Sequence, residues 1–509
     1  MFSDKFLWGV SMAGFQFEMG DPAGRYIDPN TDWFKWVHDE ENIRAGIVSG
    51  DLPEDGVNYW ELYAEDHDRA KTMGMNAYRL NVEWSRIFPK PTYSIEIGVE
   101  TREGIATGID IAYEDLEKLD ELANNEAVTH YRQVIEDLRS KGFKVILNLV
   151  HFTLPLWLHE PIMARKSKLK KGPLGWLAAE FPVEFAKFAA YAAWKFGDQV
   201  DMWSTFNEPA IVAIMGYLYK ESHFPPGVEN YKAHRKAMLN IAQAHLLAYE
   251  AIKKFDTAKA YTDSKSPAEV GLIHNIMPFQ PLNPEKKTDI KAAGYLNMIF
   301  NTWILEALSK GWLDRNFNGK VDQGEKLSEY AGKLDWLGVN YYTRAVVRGR
   351  WIPFGPVPAI PVMVPGYGFA CDKNSVSRDG RPTSDFGWEL YPEGLRDALL
   401  LAAEYASPLL VTENGIADAE DRLRPRYIVE HLKVLEELVE EKRVDVRGYL
   451  HWALTDNYEW AEGFKMKFGL YAVDLASKKR IKRESVDVMA KIIEENTVTE
   501  ELIKKYSHK

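Results

Sequence analysis

The segment Pro408-Leu409-Leu410-Val411-Thr412-Glu413-Asn414-Gly415 decides the fold. An apolar run ends in the carboxylate of Glu413, and an Asn-Gly pair typical of turns follows it. The pattern predicts a buried strand with Glu413 at its carboxyl end, which is where barrel enzymes place their chemistry. Taken alone, it fits equally well a glutamate that ends a strand or caps the next helix, so the rest of the chain must decide.

Apolar segments with the length of buried strands recur along the whole sequence. The predicted strands are 6–13, 76–82, 143–149, 200–206, 269–274, 334–341, 408–412 and 446–452. Helical patterns lie at 66–73, 116–141, 181–196, 231–254, 289–310, 393–405 and 427–442. No linker divides the chain, and no glycine fingerprint for phosphate is present. We therefore predict an α/β fold: a single (β/α)8 TIM barrel domain over residues 1–509, with elaborated loops at its C-terminal face.

Three segments fall outside this alternation. Residues 90–115 are predicted to form an irregular insertion on the surface, and the proline-rich residues 351–366 a loop without helix or strand. Residues 497–509 form a C-terminal extension, which is a candidate for contact between subunits of a homo-oligomer.

Composition excludes several classes of protein. The net charge of −12 and the lack of a basic stripe argue against nucleic-acid binding. One cysteine, Cys371, rules out an internal disulfide, and the start of the chain has no signal-peptide pattern, so we expect a cytoplasmic protein. No apolar run is long enough to span a membrane. The 16 tryptophans and 25 tyrosines suit a site for a ligand with apolar faces, such as a sugar or another ring.

Polar and aromatic residues lie near, at or just past the carboxyl end of each predicted strand. They are Gln16, Arg79, His151, Asn207, Glu208, His274, Asn275, Tyr342, Glu413 and Trp452. A single residue of this kind is more often a turn or cap residue. Because the carboxyl ends of all strands of a barrel meet at one mouth, the whole set predicts a site there.

Two of these residues, Glu208 and Glu413, form the carboxylate pair that glycoside hydrolysis requires. Glu208 precedes Pro209 in an apolar context, which would raise its pKa and suit it to act as the acid. Glu413 would stay ionised as the nucleophile if it faces Arg79 and Tyr342. Spacing alone leaves the reverse assignment open.

The chain resembles glycoside hydrolase family 1, the β-glucosidase family, over essentially its whole length. Thr205-Phe206-Asn207-Glu208-Pro209 is similar to the family's acid/base motif, and Thr412-Glu413-Asn414-Gly415 to its nucleophile motif. The resemblance implies a retaining exo-β-glycosidase that forms a covalent glycosyl-enzyme and requires no cofactor for catalysis. That mechanism needs carboxyl groups about 5–5.5 Å apart.

The resemblance also implies roles for further residues. The positions that match the substrate-binding set are Gln16, His151, Asn207, Glu459 and Trp460 for the sugar, Trp452 for the floor beneath it, and Trp388 for the aglycone. Arg79 and Tyr342 would hold Glu413. Asn207 would bind the hydroxyl next to the anomeric carbon. The expected substrate is a small oligosaccharide or an aryl or alkyl β-glycoside.

Residues 31–39 and 46–54 resemble the archaeal, heat-stable branch of the family. His151 is followed by Phe152 where most of the family has tryptophan, which is similar to the β-mannosidase-like members, so glucose, galactose and mannose all stay open. Glu459 would repel a sugar phosphate, which disfavours a 6-phosphoglycosidase. A transglycosylase with the same residues, and a sugar-binding barrel without catalysis, are the alternatives.

One further motif lies outside the resemblance. The segment 314–325 fits the EF-hand loop and has Asp314, Asn316, Asn318, Asp322 and Glu325 at ligand positions. We therefore predict a structural calcium ion there, with an asparagine- and aspartate-rich surface turn as the alternative.

Overall fold

The protein is a closed eight-stranded parallel barrel in a computed structural model that describes residues 1–200, 202–261, 266–351 and 355–507. Its strands are β1 (Leu7–Ser11), β2 (Ala77–Asn81), β3 (Lys144–Val150), β4 (Met202–Asn207), β5 (Glu269–Asn275), β6 (Trp336–Asn340), β7 (Leu409–Glu413) and β8 (Val446–His451). Each strand pairs in parallel with its sequence neighbours, and β8 pairs with β1 to close the barrel. This confirms the predicted (β/α)8 fold.

Helices fill the connections between the strands. Their bounds are Gly14–Phe17, Asp32–Val37, Glu40–Arg44, Tyr59–Thr72, Trp84–Ile87, Tyr113–Leu122, Asn125–Ser140, Pro161–Lys166, Phe181–Phe196, Pro209–Tyr217, Tyr231–Phe255, Lys287–Leu296, Trp303–Lys310, Glu393–Ala402, Arg424–Glu440, Glu484–Glu495 and Glu500–Tyr506. Within the described residues, none of these helices combines the length and hydrophobicity needed to cross a bilayer.

Two predicted helices are interrupted. The pattern at 116–141 is two helices, because Asn124 caps the second one by accepting hydrogen bonds from the N–H groups of Glu126 and Ala127. The pattern at 289–310 contains a π-helical stretch, Asn297–Thr302, between two α-helices. Asn301 in that stretch accepts a hydrogen bond from His274 at 3.0 Å. His274 therefore binds the helix layer and does not reach the barrel mouth.

Two segments predicted to be irregular contain strands. Gly98–Arg102 and Ile105–Asp110 form an antiparallel hairpin, and Glu103 and Gly104 at its tip have φ values of 51° and 77°. Such a two-residue turn is typical of hairpins. Ile360–Met363 pairs antiparallel with Ala345–Arg350. Residues 352–354 of the same proline-rich segment lie outside the described residues.

Other short strands and the C-terminus complete the fold. Phe279–Pro281 joins the sheet of Ala345–Arg350, and Tyr471–Val473 pairs with Arg480–Lys482. The C-terminal extension forms the helix Glu500–Tyr506, whose Leu502 is buried within its own chain. A contact with another subunit stays a prediction, and residues 508–509 lie outside the described part.

An apolar layer closes the barrel below its mouth. It takes one residue from each strand: Leu7, Ala77, Ile146, Met202, Ile273, Trp336, Leu410 and Leu450. Most of these lie near the amino ends of their strands, so polar residues further along each strand rest on a packed floor.

Gly415 is required by close packing rather than by a turn. A Cβ atom on Gly415 would lie 2.0 Å from the carbonyl oxygen of Trp452, and the N–H of Trp452 donates to the carbonyl of Asn414 at 3.1 Å. Asn414 is fully buried and donates to the carbonyl of Tyr341 at 2.8 Å. The Asn-Gly pair therefore ties the end of β7 to the segment after β8.

We predict that Gly415→Ala destabilises the fold by about 1–3 kcal/mol, because the new methyl group overpacks this contact. Gly294→Ala is the matched control: Gly294 lies on an exposed helix surface with nothing within 4 Å of its Cβ position. That substitution should stabilise by about 0.5–1 kcal/mol. Calorimetric melting of both variants checks the pair, and a Gly415→Ala protein as stable as Gly294→Ala would contradict the packing argument.

Candidate active site

Glu413 lies buried at the carboxyl end of β7 and makes two strong contacts. Arg79 of β2 donates from Nη1 to Glu413 Oε1 in a buried ion pair. The hydroxyl of Tyr342 donates to Glu413 Oε2 at 2.7 Å. Removing one partner of a buried pair leaves an uncompensated charge and costs about 3–5 kcal/mol, so Arg79 and Glu413 depend on each other.

Arg79 also orients the neighbouring polar side chains. Its Nη2 lies 2.9 Å from His151 Nδ1 and donates to Asn207 Oδ1 at 3.0 Å. Because arginine only donates, His151 Nδ1 must accept, which places the hydrogen of the neutral imidazole on Nε2. Burial, aided by Arg79, holds the pKa of His151 well below its usual value, which agrees with a neutral ring.

His151 and Asn207 each have one nitrogen donor that Arg79 does not contact. His151 Nε2 and Asn207 Nδ2 are 3.4 Å apart, and both carry hydrogen once Arg79 has fixed their partners. Two N–H groups cannot bond to each other, so both are available to an oxygen atom of a ligand placed beside them.

Glu208 follows β4 and has a different environment from Glu413. Its Oε1 accepts hydrogen bonds from Asn340 Nδ2 at 2.7 Å and from Asn275 Nδ2 at 3.2 Å. Burial, followed by the negative charge of Glu413, raises the pKa of Glu208 to about 8. At neutral pH Glu208 therefore holds a proton that it can transfer.

Asn340, at the end of β6, was missed by the sequence analysis. Besides Glu208, it donates to Asn207 Oδ1 at 3.0 Å and accepts from the hydroxyl of Thr412 at 2.8 Å. Its position at a strand end is the signal that could have identified it. The sequence places Asn275 at a strand end but indicates no role for it. In the structure its side chain donates to Glu208.

Gln16 and Glu459 lie together on another side of the mouth. Gln16 Nε2 donates to Asn457 Oδ1 at 3.1 Å and to the carbonyl of Tyr458 at 3.0 Å, and it lies 3.4 Å from Glu459 Oε2. Gln16 Oε1 is buried and has no partner within the described part of the chain. Burial, with the charges of Glu413 and Glu208, raises the pKa of Glu459 to about 8.

Aromatic rings line the mouth. The ring of His151 is nearly parallel to those of Trp452 and Trp460, with centroids 5.8 and 5.9 Å away. Phe152 packs against Trp460 at 5.1 Å. Trp388 is half-buried and packs edge-on against Tyr342, with centroids 5.4 Å apart.

Three residues here have a left-handed backbone: Phe152, Glu208 and Trp460, with φ of 72°, 49° and 47°. Such conformations cost about 1–3 kcal/mol each and concentrate at functional sites.

The predicted calcium loop does not form a metal centre. Across the described ranges, no group of three or more His, Cys, Asp or Glu side chains is placed to hold a metal ion. The carboxylate of Asp314 accepts from the N–H groups of Asn318 and Gly319 at 3.1 and 2.7 Å. Glu325 accepts from those of Arg315 and Asp322 at 2.8 and 3.0 Å. The calcium prediction is therefore not supported: the loop's own N–H groups engage these carboxylates, as in the alternative of a surface turn.

Comparison with known proteins agrees with this geometry. The sequence model of glycosyl hydrolase family 1 matches residues 1–101 and 120–498. A β-galactosidase of Pyrococcus woesei is 52% identical over 509 residues, covering 99% of each chain. The crystal structure of the β-glycosidase of Thermosphaera aggregans has a TM-score of 0.90 and 44% identity, covering 99% of this chain and 98% of that one.

A second solved structure is a β-glucosidase mutant derived from a hyperthermophilic tetrameric structure. It has a TM-score of 0.87 and 43% identity, and the match covers 99% of this chain and 98% of that one. These findings confirm the family predicted from the two glutamate motifs. The chain belongs to glycosyl hydrolase family 1 and is an O-glycosyl hydrolase.

Proposed function

We propose that the protein is a retaining exo-β-glycosidase with Glu413 as nucleophile and Glu208 as acid and base. The supporting observation is the difference between the two carboxyl groups. The carboxylate of Glu413 contacts a guanidinium and a phenol. Glu208 accepts hydrogen bonds from two neutral amides, and its pKa is raised to about 8. One carboxyl group held by a cation and a second one with a raised pKa are what this reaction needs.

The reaction would proceed in two displacements. Glu413 attacks the anomeric carbon while Glu208 gives its proton to the departing glycosidic oxygen. A bond forms between Glu413 and the sugar, and the bond to the aglycone breaks. Glu208, now ionised, takes a proton from water, which attacks the same carbon and releases Glu413. No cofactor is required in either step.

Sugar recognition would use the donors that Arg79 orients. Asn207 Nδ2 and the Nε2–H of His151 would bind the hydroxyl next to the anomeric carbon. Gln16 and Glu459 would bind hydroxyls on the far side of the ring. Trp460 would line that side, Trp452 would lie beneath the apolar face of the ring, and Trp388 would contact the aglycone.

We propose terminal β-glucosides and β-galactosides as the substrate class, with mannosides as the alternative that His151-Phe152 suggests. The support is that relatives similar over the whole chain are described as a β-galactosidase and a β-glucosidase. We also propose one barrel domain over residues 1–509. The description of one similar structure as derived from a tetrameric one supports a homo-oligomer. A cytoplasmic location stays a prediction.

Substitution of the nucleophile is the first test. Glu413→Ala should lower kcat on aryl β-glycosides by at least about 10³-fold, because the covalent step is lost. Added azide or formate should occupy the vacated space and partly restore the rate, giving a product of inverted configuration. NMR of the product reports the configuration.

The matched control is Glu208→Ala with azide. In that variant Glu413 still forms the glycosyl-enzyme, so the azide product should keep the β configuration. A Glu413→Ala enzyme with a near-normal rate, or with a retained azide product, would sink the assignment.

The pH dependence provides a second test. Glu208 must be protonated to act as the acid, so activity on a substrate with a poor leaving group should fall as pH rises through about 8. Glu208→Ala should abolish this basic limb and largely spare substrates with good leaving groups, which need little acid help. The profile of kcat/KM on alkyl and dinitrophenyl glycosides checks both statements, and an unchanged basic limb in Glu208→Ala would count against this role.

Sugar preference provides a third test. Inverting the hydroxyl next to the anomeric carbon would leave the donors of Asn207 and His151 unpaired, at a cost of about 1–3 kcal/mol. We therefore expect kcat/KM on an aryl β-mannoside to be lower by about 10-fold or more than on the matching glucoside. A mannoside turned over as fast as the glucoside would favour the alternative.

A further inference from the structure

The helical turn Gly14–Phe17, which carries Gln16, is capped from another part of the chain. Ala13 at its start provides no side-chain cap. The N–H of Gly14 donates instead to Asn81 Oδ1, and the N–H of Phe15 donates to Glu83 Oε1 at 3.0 Å. Both acceptors come from the end of β2 and the residues just after it, so the β2 loop determines where this turn lies.

Glu83 also holds the segment after β3. Its Oε2 accepts from the hydroxyl of Thr153 at 2.7 Å, and Thr153 lies two residues past His151. Asn81 Nδ2 donates to Glu83 Oε1 at 2.9 Å, which keeps the carboxylate beside its own strand. One carboxylate therefore joins the loops after β1, β2 and β3.

The contact between Glu83 and the start of the turn at Gly14 is tightly packed. Glu83 is 1% exposed, and a Cβ atom on Gly14 would lie 2.7 Å from its Cγ and Oε1 atoms. The N–H of Glu83 donates to the hydroxyl of Tyr131 at 3.0 Å. No ion pair of Glu83 occurs in the described portion of the chain, so its three neutral donors are what compensate for its burial.

The other end of the turn is held by the same network. Tyr131 donates to Glu18 Oε1 at 2.9 Å, and Glu18 directly follows the turn. Arg86 Nε donates to Glu18 Oε2 at 2.7 Å. The backbone on both sides of Gln16 is therefore fixed to the segment after β2, the strand whose Arg79 holds Glu413.

We infer that Glu83 is a positioning residue: it sets the distance of Gln16 and His151 from Glu413 without touching the sugar. The inference rests on the sugar-binding roles proposed above. Loops after different strands move independently unless something joins them, and a displacement of about 1 Å at a binding group can cost about 100-fold in rate. Glu83 joins two sugar-binding loops to the strand that orients the nucleophile.

The test compares Glu83→Ala with Glu83→Gln in the full-length enzyme. Glu83→Ala should lower kcat/KM by about 10–100-fold, chiefly by raising KM, because the sugar-binding groups lose their place. Glutamine can keep every contact, since its oxygen can accept from Phe15 and Asn81 while its amide donates to Thr153. Glu83→Gln should therefore stay close to the wild-type KM, which a requirement for charge would not allow.

A double-mutant cycle separates positioning from general destabilisation. If Glu83 acts through Gln16, the effects of Glu83→Ala and Gln16→Ala on kcat/KM should be clearly less than multiplicative. The matched control is Glu184→Ala, because Glu184 is a buried carboxylate that accepts from Thr92 and pairs with Lys187 away from the site. It should lower the melting temperature and leave KM unchanged.

If Glu83→Ala does not fold, Thr153→Val removes one arm of the network and should raise KM by a smaller factor. An unchanged KM in the folded variant, multiplicative effects in the cycle, or a glutamine variant as impaired as alanine would each overturn the inference. A Glu413→Ala enzyme that stays active would instead overturn the proposed function, whatever the Glu83 variants do.

Discussion

The buried ion pair between Arg79 and Glu413 is the constraint on which the site depends. Arg79 is fully buried inside the barrel, where an unpaired guanidinium would be very costly. Glu413 neutralises this charge. The remaining N–H groups of Arg79 orient Asn207 and set the tautomer of His151. One guanidinium therefore orients both the proposed nucleophile and the groups proposed to bind the sugar next to the reacting carbon.

Burial and the charges in the mouth raise the pKa of two of its carboxyl groups, Glu208 and Glu459. Glu208, Glu413 and Glu459 lie close enough to influence one another, and Arg79 pairs with Glu413. Burial and the neighbouring negative charges raise the pKa of the other two to about 8. An acid that stays protonated at neutral pH follows from burying Glu208 close to Glu413. The proposed division of labour between Glu208 and Glu413 has this electrostatic origin.

The barrel and most of the mouth could be predicted from the sequence because most strands are short apolar runs with a polar residue at or just after the carboxyl end. Glu413 and Asn207 end their strands, Tyr342 lies two residues past β6, and the structure places the three together around Arg79 and Glu413. Asn340 also ends its strand, but the sequence does not indicate its importance, since that depends on hydrogen bonds to side chains from β4 and β7. Glu83 could not be found from the sequence, because Phe15 and Thr153, the partners that give it its positioning role, lie 68 and 70 residues away.

The errors have physical causes as well. The two strands of the hairpin at 98–110 have five and six residues, so their alternation of side chains is too short to predict strands from the sequence. The Glu-Gly turn between them is equally compatible with an irregular chain. The 314–325 segment has residue types that suit both a calcium loop and an asparagine- and aspartate-rich turn, and only the geometry distinguishes them.

The most direct measurement of the central claim is to trap the intermediate. A 2-deoxy-2-fluoro glycoside with a good leaving group slows the second displacement more than the first, so the glycosyl-enzyme should accumulate. We expect the intact mass to rise by one fluorosugar, and digestion should place the label on the peptide that contains Glu413. Absence of an adduct while the aglycone is released, or a label on any other residue, would contradict the account.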